Sequence, residues 1–536
     1  MTDALYQRQR NQLAHHPLFS WPGLGVWSFY FIVKAGLTVA GVIEFFVLWN
    51  LTLFVFLVIP VHPYWLKILR QILAITAATI LFYQETGLPP FGRLIAQWDL
   101  VSSFSLAYTI ELLGRFIAVE WIAGLIVAWI LYMYLAKAIR MTVVAFIVII
   151  TAPLWSPSEV QPFDTGPVER MAGAPVAATR LIGTDLDSVL SEFYARENLF
   201  QLIAPRQVEP DFDILIVNVC SLSWQDLTQF NLLDHPFLTR SDITLTNFYT
   251  GSSYSGPATL RLLQSSCGHR PHSRIFEPEA VCLLGDQLAD LGFSREIRLN
   301  HTGTFDNFLG QVQQLGGFGD ATFVDPSNFP TTMQGFDQSP IYSDAAVLSD
   351  WLNTVDDNAR LTFYNTTSLH DGNRLTGFRG NSIASYRTRL NNLLSDLNQL
   401  YDDIIASERQ VLVVIVPEHG AGLQGDQFQL PGMREIPTPA LTHVPVMMRL
   451  FGPDVNAQER SPIQVARSTG PTAVTSAIYQ ILEQRPFSGG VYDPVRIVQN
   501  LPETRPVLEN DRVIMMQHEG QFYLQINYGE WRPYVQ

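Results

Sequence analysis

The chain has 536 residues, a formal net charge of −15, 47% apolar residues and three cysteines. Its length exceeds one ordinary domain and suits a membrane region followed by a large globular domain. The acidic balance argues against a nucleic-acid partner. Cys220, Cys267 and Cys282 are odd in number, so a single pair leaves one thiol for another task.

The opening stretch is not a signal peptide. Arg8 and Arg10 are followed by apolar segments longer and more numerous than an h-region. About five candidate spans follow, roughly residues 26–43, 44–62, 68–84, 116–136 and 139–156. The first two nearly run together and are also open to reading as one span plus an interfacial segment. Arg8 and Arg10 precede the first span, Lys67 and Arg70 sit between the second and third, and Lys137 and Arg140 between the fourth and fifth. Basic residues favour the cytoplasmic side. With five spans the N-terminus is cytoplasmic, and everything after about residue 157 lies outside. Lys34 and Glu44, in or beside the first span, are functional, or else snorkel to an interface or pair between neighbouring helices.

The expected division is a transmembrane anchor over 1–157, a linker over 158–184 and a catalytic domain over 185–536. The linker stretch is rich in Pro, Gly and Ala without clear periodicity. An amphipathic helix is expected from Asp185 to about Leu199. Buried strands are expected at Asp213–Val219, Ile243–Phe248, Leu361–Thr366 and Val411–Val416, with a long helix near 384–406. That alternation predicts an α/β domain with a largely parallel sheet sandwiched by helices.

Ligands of open α/β sheets sit at the carboxyl ends of strands. After the four strands come Asn218-Val-Cys-Ser-Leu-Ser-Trp, Ser253-Tyr-Ser-Gly-Pro-Ala opening a helix, Leu369-His-Asp-Gly-Asn, and Val416-Pro-Glu-His-Gly. Cys220, Glu418 and His419 supply sulfur, oxygen and nitrogen, a mixture that suits zinc. Ser255 is the candidate for the remaining position, where metal coordination would turn a poor nucleophile into an alkoxide. It also opens a helix, whose N–H groups favour a bound phosphate. A metal-activated serine beside an anion site argues for phosphoryl or sulfuryl transfer through a covalent intermediate. Taken singly, Cys220 reads as a core thiol, Ser255 as a helix cap and Glu418-His419 as a surface turn. Their common place at strand ends favours the metal site.

In that order these motifs resemble the alkaline phosphatase superfamily and, within it, the bacterial cellulose phosphoethanolamine transferases, the BcsG proteins. The resemblance runs through most of the chain, including Trp27-Ser-Phe-Tyr-Phe-Ile-Val-Lys. Most related membrane-anchored transferases have an acidic residue where Cys220 stands and Asp-His where Glu418-His419 stands; both departures are features of this one subfamily. The resemblance implies a multi-pass protein of the bacterial inner membrane with a periplasmic catalytic domain. It implies Zn2+ held by Cys220, Ser255, Glu418 and His419. It implies that Ser255 takes phosphoethanolamine from phosphatidylethanolamine and passes it to the C6 hydroxyl of glucose in nascent cellulose. Partners would include cellulose synthase complex subunits, met through the membrane region.

Tyr254, His370 and Arg434 match positions tied to substrate handling. Arg434 and His370 are suited to neutralising phosphoryl oxygens, and His370 also to general acid or base work. Arg434 is equally open to an ordinary loop salt bridge, and Tyr254 to packing. Asp371 is expected to shape its loop. His301 and His443 are expected to be structural, although either could line a second metal position. The resemblance also implies a Cys267–Cys282 disulfide, which an oxidising compartment permits. Rival readings are transfer to lipid A or another glycan, hydrolysis to water, and a membrane interaction subunit in which catalysis is secondary.

Overall fold

The structure is a computed structural model. It describes residues 24–155 apart from 41–42, 44, 62, 87–104 and 117–118, and residues 185–534 apart from 207, 357, 427, 430 and 457–461. Arg8, Arg10, Glu44 and the expected linker at 158–184 lie outside the described residues. The chain splits into two compact units, Met1–Ser103 with Thr109–Glu169, and Phe104–Tyr108 with Arg170–Gln536.

The chain up to Trp155 is built from apolar helices. In chain order the helices are α1 (Val26–Val39), α2 (Val47–Val58), α3 (Tyr64–Glu85), α4 (Leu106–Phe116), α5 (Val119–Leu135) and α6 (Met141–Trp155). Only α3, with 22 residues, is long and apolar enough among the described residues to cross a membrane. At about 1.5 Å per residue it extends roughly 33 Å, against a hydrocarbon core of about 30 Å. The expectation of five spans is therefore corrected to one. The helices α1, α2, α5 and α6 have 14, 12, 17 and 15 residues. Apolar composition runs on past Val39, whereas α1 ends there with Ala40 as its C-cap and α2 starts at Val47; hydropathy reports composition, not continuity. Pro63 precedes α3 as its N-cap. The helix thus starts at Tyr64 and takes Lys67 and Arg70 into its own first turns rather than a loop.

One polar cluster is buried among these helices. Lys34 Nζ donates to Asn50 Oδ1 at 2.7 Å and forms an ion pair with Glu85. Asn50 Nδ2 and Phe46 N both donate to Glu85 Oε1, at 2.6 and 2.9 Å. Lys34 thus pairs between helices, with a partner from α3.

The second unit opens with α7 (Leu186–Glu197), where Asp185 accepts from Asp187 N as the N-cap. Its large sheet comprises β1 (Asp213–Val219), β2 (Ile243–Tyr249), β3 (Ser294–Leu299), β4 (Thr322–Val324), β7 (Arg360–Thr366), β9 (Val411–Pro417), β10 (His443–Phe451) and β11 (Ile463–Val465). Their spatial order is β11-β2-β10-β9-β1-β7-β3-β4. Small sheets are formed by β5 (Thr331–Gln334), β6 (Pro340–Tyr342) and β8 (Arg374–Leu375), and by β12 (Val507–Asn510), β13 (Val513–His518), β14 (Gln521–Ile526) and β15 (Arg532–Tyr534).

Both faces of the large sheet are covered, which is why its strands read as unbroken apolar runs. On one face Ile214 and Ile216 pack with Phe363, Val414 and Val446. On the other, Leu215 and Val217 pack with Val413, Ile415 and Trp351. The first core takes residues from α9 (Ser255–Leu263), α10 (Phe308–Leu315) and α13 (Pro471–Gln484). The second takes residues from α11 (Asp344–Asn353) and α12 (Ser382–Ser407). The sheet is mixed: β10 runs antiparallel to both β9 and β2. The chain between β9 and β10 carries, among its described residues, only the short helix Pro439–Thr442. It returns beside β9 without the crossover helix that a parallel strand needs.

Candidate metal and nucleophile site

Strand register places the first two groups side by side. Val219 of β1 stands opposite Pro417 of β9 in a parallel pair. Each chain runs on by one residue, to Cys220 and Glu418. Cys220 N donates to Thr366 O and Glu418 N to Val219 O, both at 2.9 Å, so the sheet's bonding continues to the site's edge. Ser221 then turns the chain sharply with φ 65°, a conformation unusual for a residue bearing a Cβ. Tyr386 of α12 donates to Ser221 O at 2.6 Å and holds that turn.

Ser255 is the first residue of α9, and extended Tyr254 caps it. The Ser255 Oγ lies 3.1 Å from His419 Nε2 and 3.4 Å from Cys220 Sγ, and that Sγ lies 3.9 Å from the same Nε2. Glu418 Oε2 is 3.9 Å from His419 Nε2; it is buried and has no hydrogen-bond partner. Ligand atoms of Cys220, Glu418 and His419 lie within 4.8 Å of one another, the one such group of His, Cys, Asp and Glu among the described residues.

The protonation pattern suits a cation. His419 Nδ1 is 2.8 Å from Gly420 O, which can only accept, so Nδ1 carries the proton and Nε2 offers a lone pair. Burial, aided by the Arg434 charge, holds His419 well below the ordinary histidine range. Burial pushes the Cys220 thiol up to about 12, with Glu418 adding to it, and raises the Glu418 carboxyl. Sulfur and oxygen that resist ionisation alone are released to ionise by a cation. A sulfur, a carboxylate oxygen left unpaired and an imidazole lone pair fit zinc.

Arg434 bridges two of the histidines. Its Nη1 lies 3.2 Å from His419 Nε2 and its Nη2 lies 3.2 Å from His370 Nε2. His370 Nδ1 contacts Asp371 O at 2.6 Å, so its Nε2 is also a lone pair, accepting from Arg434. Burial, then Arg434, lowers His370 to about 3. Tyr254 is turned aside: its hydroxyl donates to Glu435 Oε2 at 2.7 Å.

The remaining candidates fall outside the cluster. Buried Asp371 accepts from Gly372 N and Ser382 Oγ and shapes its loop. His443 bonds to Thr246 O at 2.9 Å and stacks on Tyr249. His301 bonds to Asn365. Cys267 and Cys282 form a disulfide and Cys220 is free.

Other residues went unseen in the sequence. Asp226 accepts from Ser223 N, Ser223 Oγ and Ala421 N, tying the loop after β1 to the loop after β9. Its signal was legible as a capping box, Ser223-x-x-Asp226. Asn218 and Asn365, inside apolar strands, hold the ground behind Glu418. A buried amide in such a run demands partners and was the available clue. Asn510, arriving from β12, donates to the carbonyls of Arg434 and Glu435 at 3.0 and 2.8 Å. Nothing local in the sequence announces it.

Comparison with known proteins gives two family matches. The Cellulose biosynthesis protein BcsG C-terminal domain matches residues 171–531 and the BcsG N-terminal domain matches residues 27–154. The cellulose biosynthesis protein BcsG of Salmonella typhimurium is 35% identical over 548 residues, covering 96% of this chain and 97% of that protein. Its counterpart in Escherichia coli K12 is 35% identical over 549 residues, with the same coverage. Among solved structures, a protein in the alkaline phosphatase superfamily from Vibrio parahaemolyticus aligns with TM-score 0.47 at 13% identity. That alignment covers 65% of this chain and 88% of that one. With strand-end motifs in register and relatives matched along nearly their full length, the chain belongs to the family of the cellulose biosynthesis protein BcsG.

Proposed function

We propose that the protein is a zinc-dependent phosphoethanolamine transferase that modifies cellulose during its biosynthesis. The observation that carries this reading is the meeting of Ser255 Oγ, Cys220 Sγ and His419 Nε2 within 3.9 Å, beside an unpaired Glu418 oxygen. Cys220, Ser255, Glu418 and His419 would hold the ion. Zinc there would lower the pKa of the Ser255 hydroxyl and offset charge on phosphoryl oxygens.

The chain's own residues account for the rest. Ser255 Oγ bonds to the phosphorus of phosphatidylethanolamine while the bond from phosphorus to the diacylglycerol oxygen breaks. The serine proton ends on diacylglycerol. The glucose C6 oxygen then bonds to phosphorus, the Ser255 bond breaks, and the sugar's proton returns to the serine. Arg434, whose Nη1 lies 3.2 Å from the same His419 Nε2 that meets Ser255, suits the anionic oxygens. His370, neutral at pH 7, presents a lone pair to Arg434 and orients it. The N-terminus of α9 supplies backbone N–H groups to the same charge.

The first unit fits a lipid donor. Its helices leave Trp49, Trp65, Ile72, Leu73 and Ile130 exposed, an apolar surface suited to acyl chains. Anchoring by α3, with the shorter helices beside it, would hold the second unit near donor headgroups and raise their effective concentration. On this reading the anchor lies in the inner membrane, with the N-terminus cytoplasmic and the catalytic unit periplasmic.

Intact-mass spectrometry after incubation with a phosphatidylethanolamine-like donor tests the covalent half-reaction. A phosphoethanolamine adduct is expected on wild type and not on Ser255→Ala. Zinc-loaded wild type without an adduct would overturn the donor assignment.

A further inference from the structure

The polar network behind Glu418 decides which of its oxygens is offered to a cation. Asn365 on β7 pairs with Asn218 on β1. Its Nδ2 donates to Glu418 Oε1 at 2.5 Å and to Asn218 Oδ1 at 2.9 Å. That amide is not free to turn over. Gly303 N–H can only donate, and it lies 3.1 Å from His301 Nδ1. Nδ1 therefore bears the lone pair and Nε2 the proton. His301 Nε2 then donates to Asn365 Oδ1 at 2.8 Å, which directs the Nδ2 end towards Glu418.

Asn218 is fixed in the same way. Its Nδ2 donates to Val416 O at 3.0 Å, leaving Oδ1 to face Asn365. Thr259 of α9 places its hydroxyl between Asn218 Oδ1, at 2.9 Å, and Glu418 Oε1, at 3.3 Å. Glu418 Oε1 is thus committed to the protein. Glu418 Oε2, buried and without a hydrogen bond, is left on the side of His419.

We propose that Asn365, oriented by His301, is a positioning residue that confines Glu418 to metal binding through Oε2 alone. A carboxylate with both oxygens free binds a cation in either mode. One whose Oε1 is held binds through the other oxygen. Single-oxygen binding leaves room around the ion for a substrate oxygen, as a catalytic site requires. Partners behind metal ligands commonly set both orientation and affinity. The inference rests on the proposed metal site, and its test separates the two.

The full-length chain in detergent is stripped of metal and titrated with Co2+ and with Zn2+. Wild type that takes up neither ion overturns the metal site and this inference together. Where wild type binds, Asn365→Ala is expected to shift the cobalt ligand-field bands towards the weaker absorption of a higher coordination number, as Glu418 turns to bind through both oxygens. Its zinc affinity, by chelator competition, is expected to fall by about tenfold or more. Thr259→Val is expected to lose a few-fold and Thr259→Ser to stay near wild type. Unchanged cobalt bands with zinc affinity within about twofold of wild type in Asn365→Ala would overturn the proposal. If that variant fails to fold, His301→Phe decides instead. It keeps the amide but frees it to turn, so wild-type cobalt bands in His301→Phe would equally overturn the proposal.

Discussion

Each unit buries a cluster of ionisable and polar side chains, and the two clusters differ in kind. Lys34, Asn50 and Glu85 close on themselves: the cation meets the anion, and the amide bridges them with both its ends. Cys220, Ser255, Glu418 and His419 converge without closing. They bring three lone-pair donors and an unpaired carboxylate oxygen to one place, with no cation among the four. Burying such groups unpaired is costly. A closed cluster returns that cost as fixed helix packing, whereas an open one holds it in reserve for a ligand. Burial of polar groups is therefore no sign of a site; incompleteness is.

The largest effects should come from the open cluster, and they should appear in function rather than stability. Glu418→Gln is expected to abolish zinc binding in metal analysis and to cut transfer by about a thousandfold or more, a typical size for loss of a principal catalytic group. The melting temperature of its apoprotein should match or exceed wild type, because the amide oxygen can still accept from Asn365 while a buried acid with one unpartnered oxygen is gone. A markedly lower apo melting temperature would break the comparison, since it would make Glu418 a structural member of a closed network.

The closed cluster should behave in the opposite sense. Lys34→Met strands Glu85 without its cation and should destabilise the first unit by about 3–5 kcal/mol. The double variant Lys34→Met, Glu85→Leu removes both charges and should recover most of that loss. Thermal unfolding in detergent reports both. A double variant as unstable as the single one would show that the charges do more than satisfy each other.

Much of this contrast was legible in the sequence. The four strands of the central α/β core, the helix opening at Ser255 and the strand-end motifs were all apparent, because buried strands and helix starts write their pattern locally. What escaped depends on contacts far apart in the chain. Lys34 was visible as a group needing a partner, but nothing local pointed to Glu85, 51 positions on. Asn365 bridges His301 and Glu418 across three segments, and Asn510 reaches the Arg434 loop from near the C-terminus. The return of β10 was hidden because a strand's direction is fixed by the path of its loop, not by its own residues. The ends of α1 and α2 were hidden because apolar composition does not mark where a helix stops.

A third cluster sharpens the comparison, since in it a cation meets an anion, Arg261 and Glu509, yet it lies in the second unit. His269 Nε2 sits 2.9 Å from Glu509 Oε1 and 2.9 Å from Arg261 Nη1. Burial, then the Arg261 charge, lowers His269 to about 4. Burial alone would raise Glu509, but His269 and Arg261 outweigh it and bring the carboxyl down to about 2. The unfolded chain protonates His269 near its ordinary value, about 6.5, whereas the fold keeps it neutral. The unfolded state therefore binds the extra proton between about 6.5 and 4. The stability from His269 is complete above that window and declines as pH falls through it, by about 1.4 kcal/mol per pH unit in its middle. Glu509 extends the loss below about 4.5, where its unfolded carboxyl begins to protonate. His269→Gln keeps an amide N–H that can donate to Glu509 but cannot titrate. Urea unfolding between pH 7 and 4.5 should show a shallower decline in this variant, while zinc binding at pH 7 is unchanged. Parallel pH profiles would mean that His269 is protonated in the fold and that the cluster balances its charges differently. Lost zinc binding would mean that this cluster is coupled to the open one.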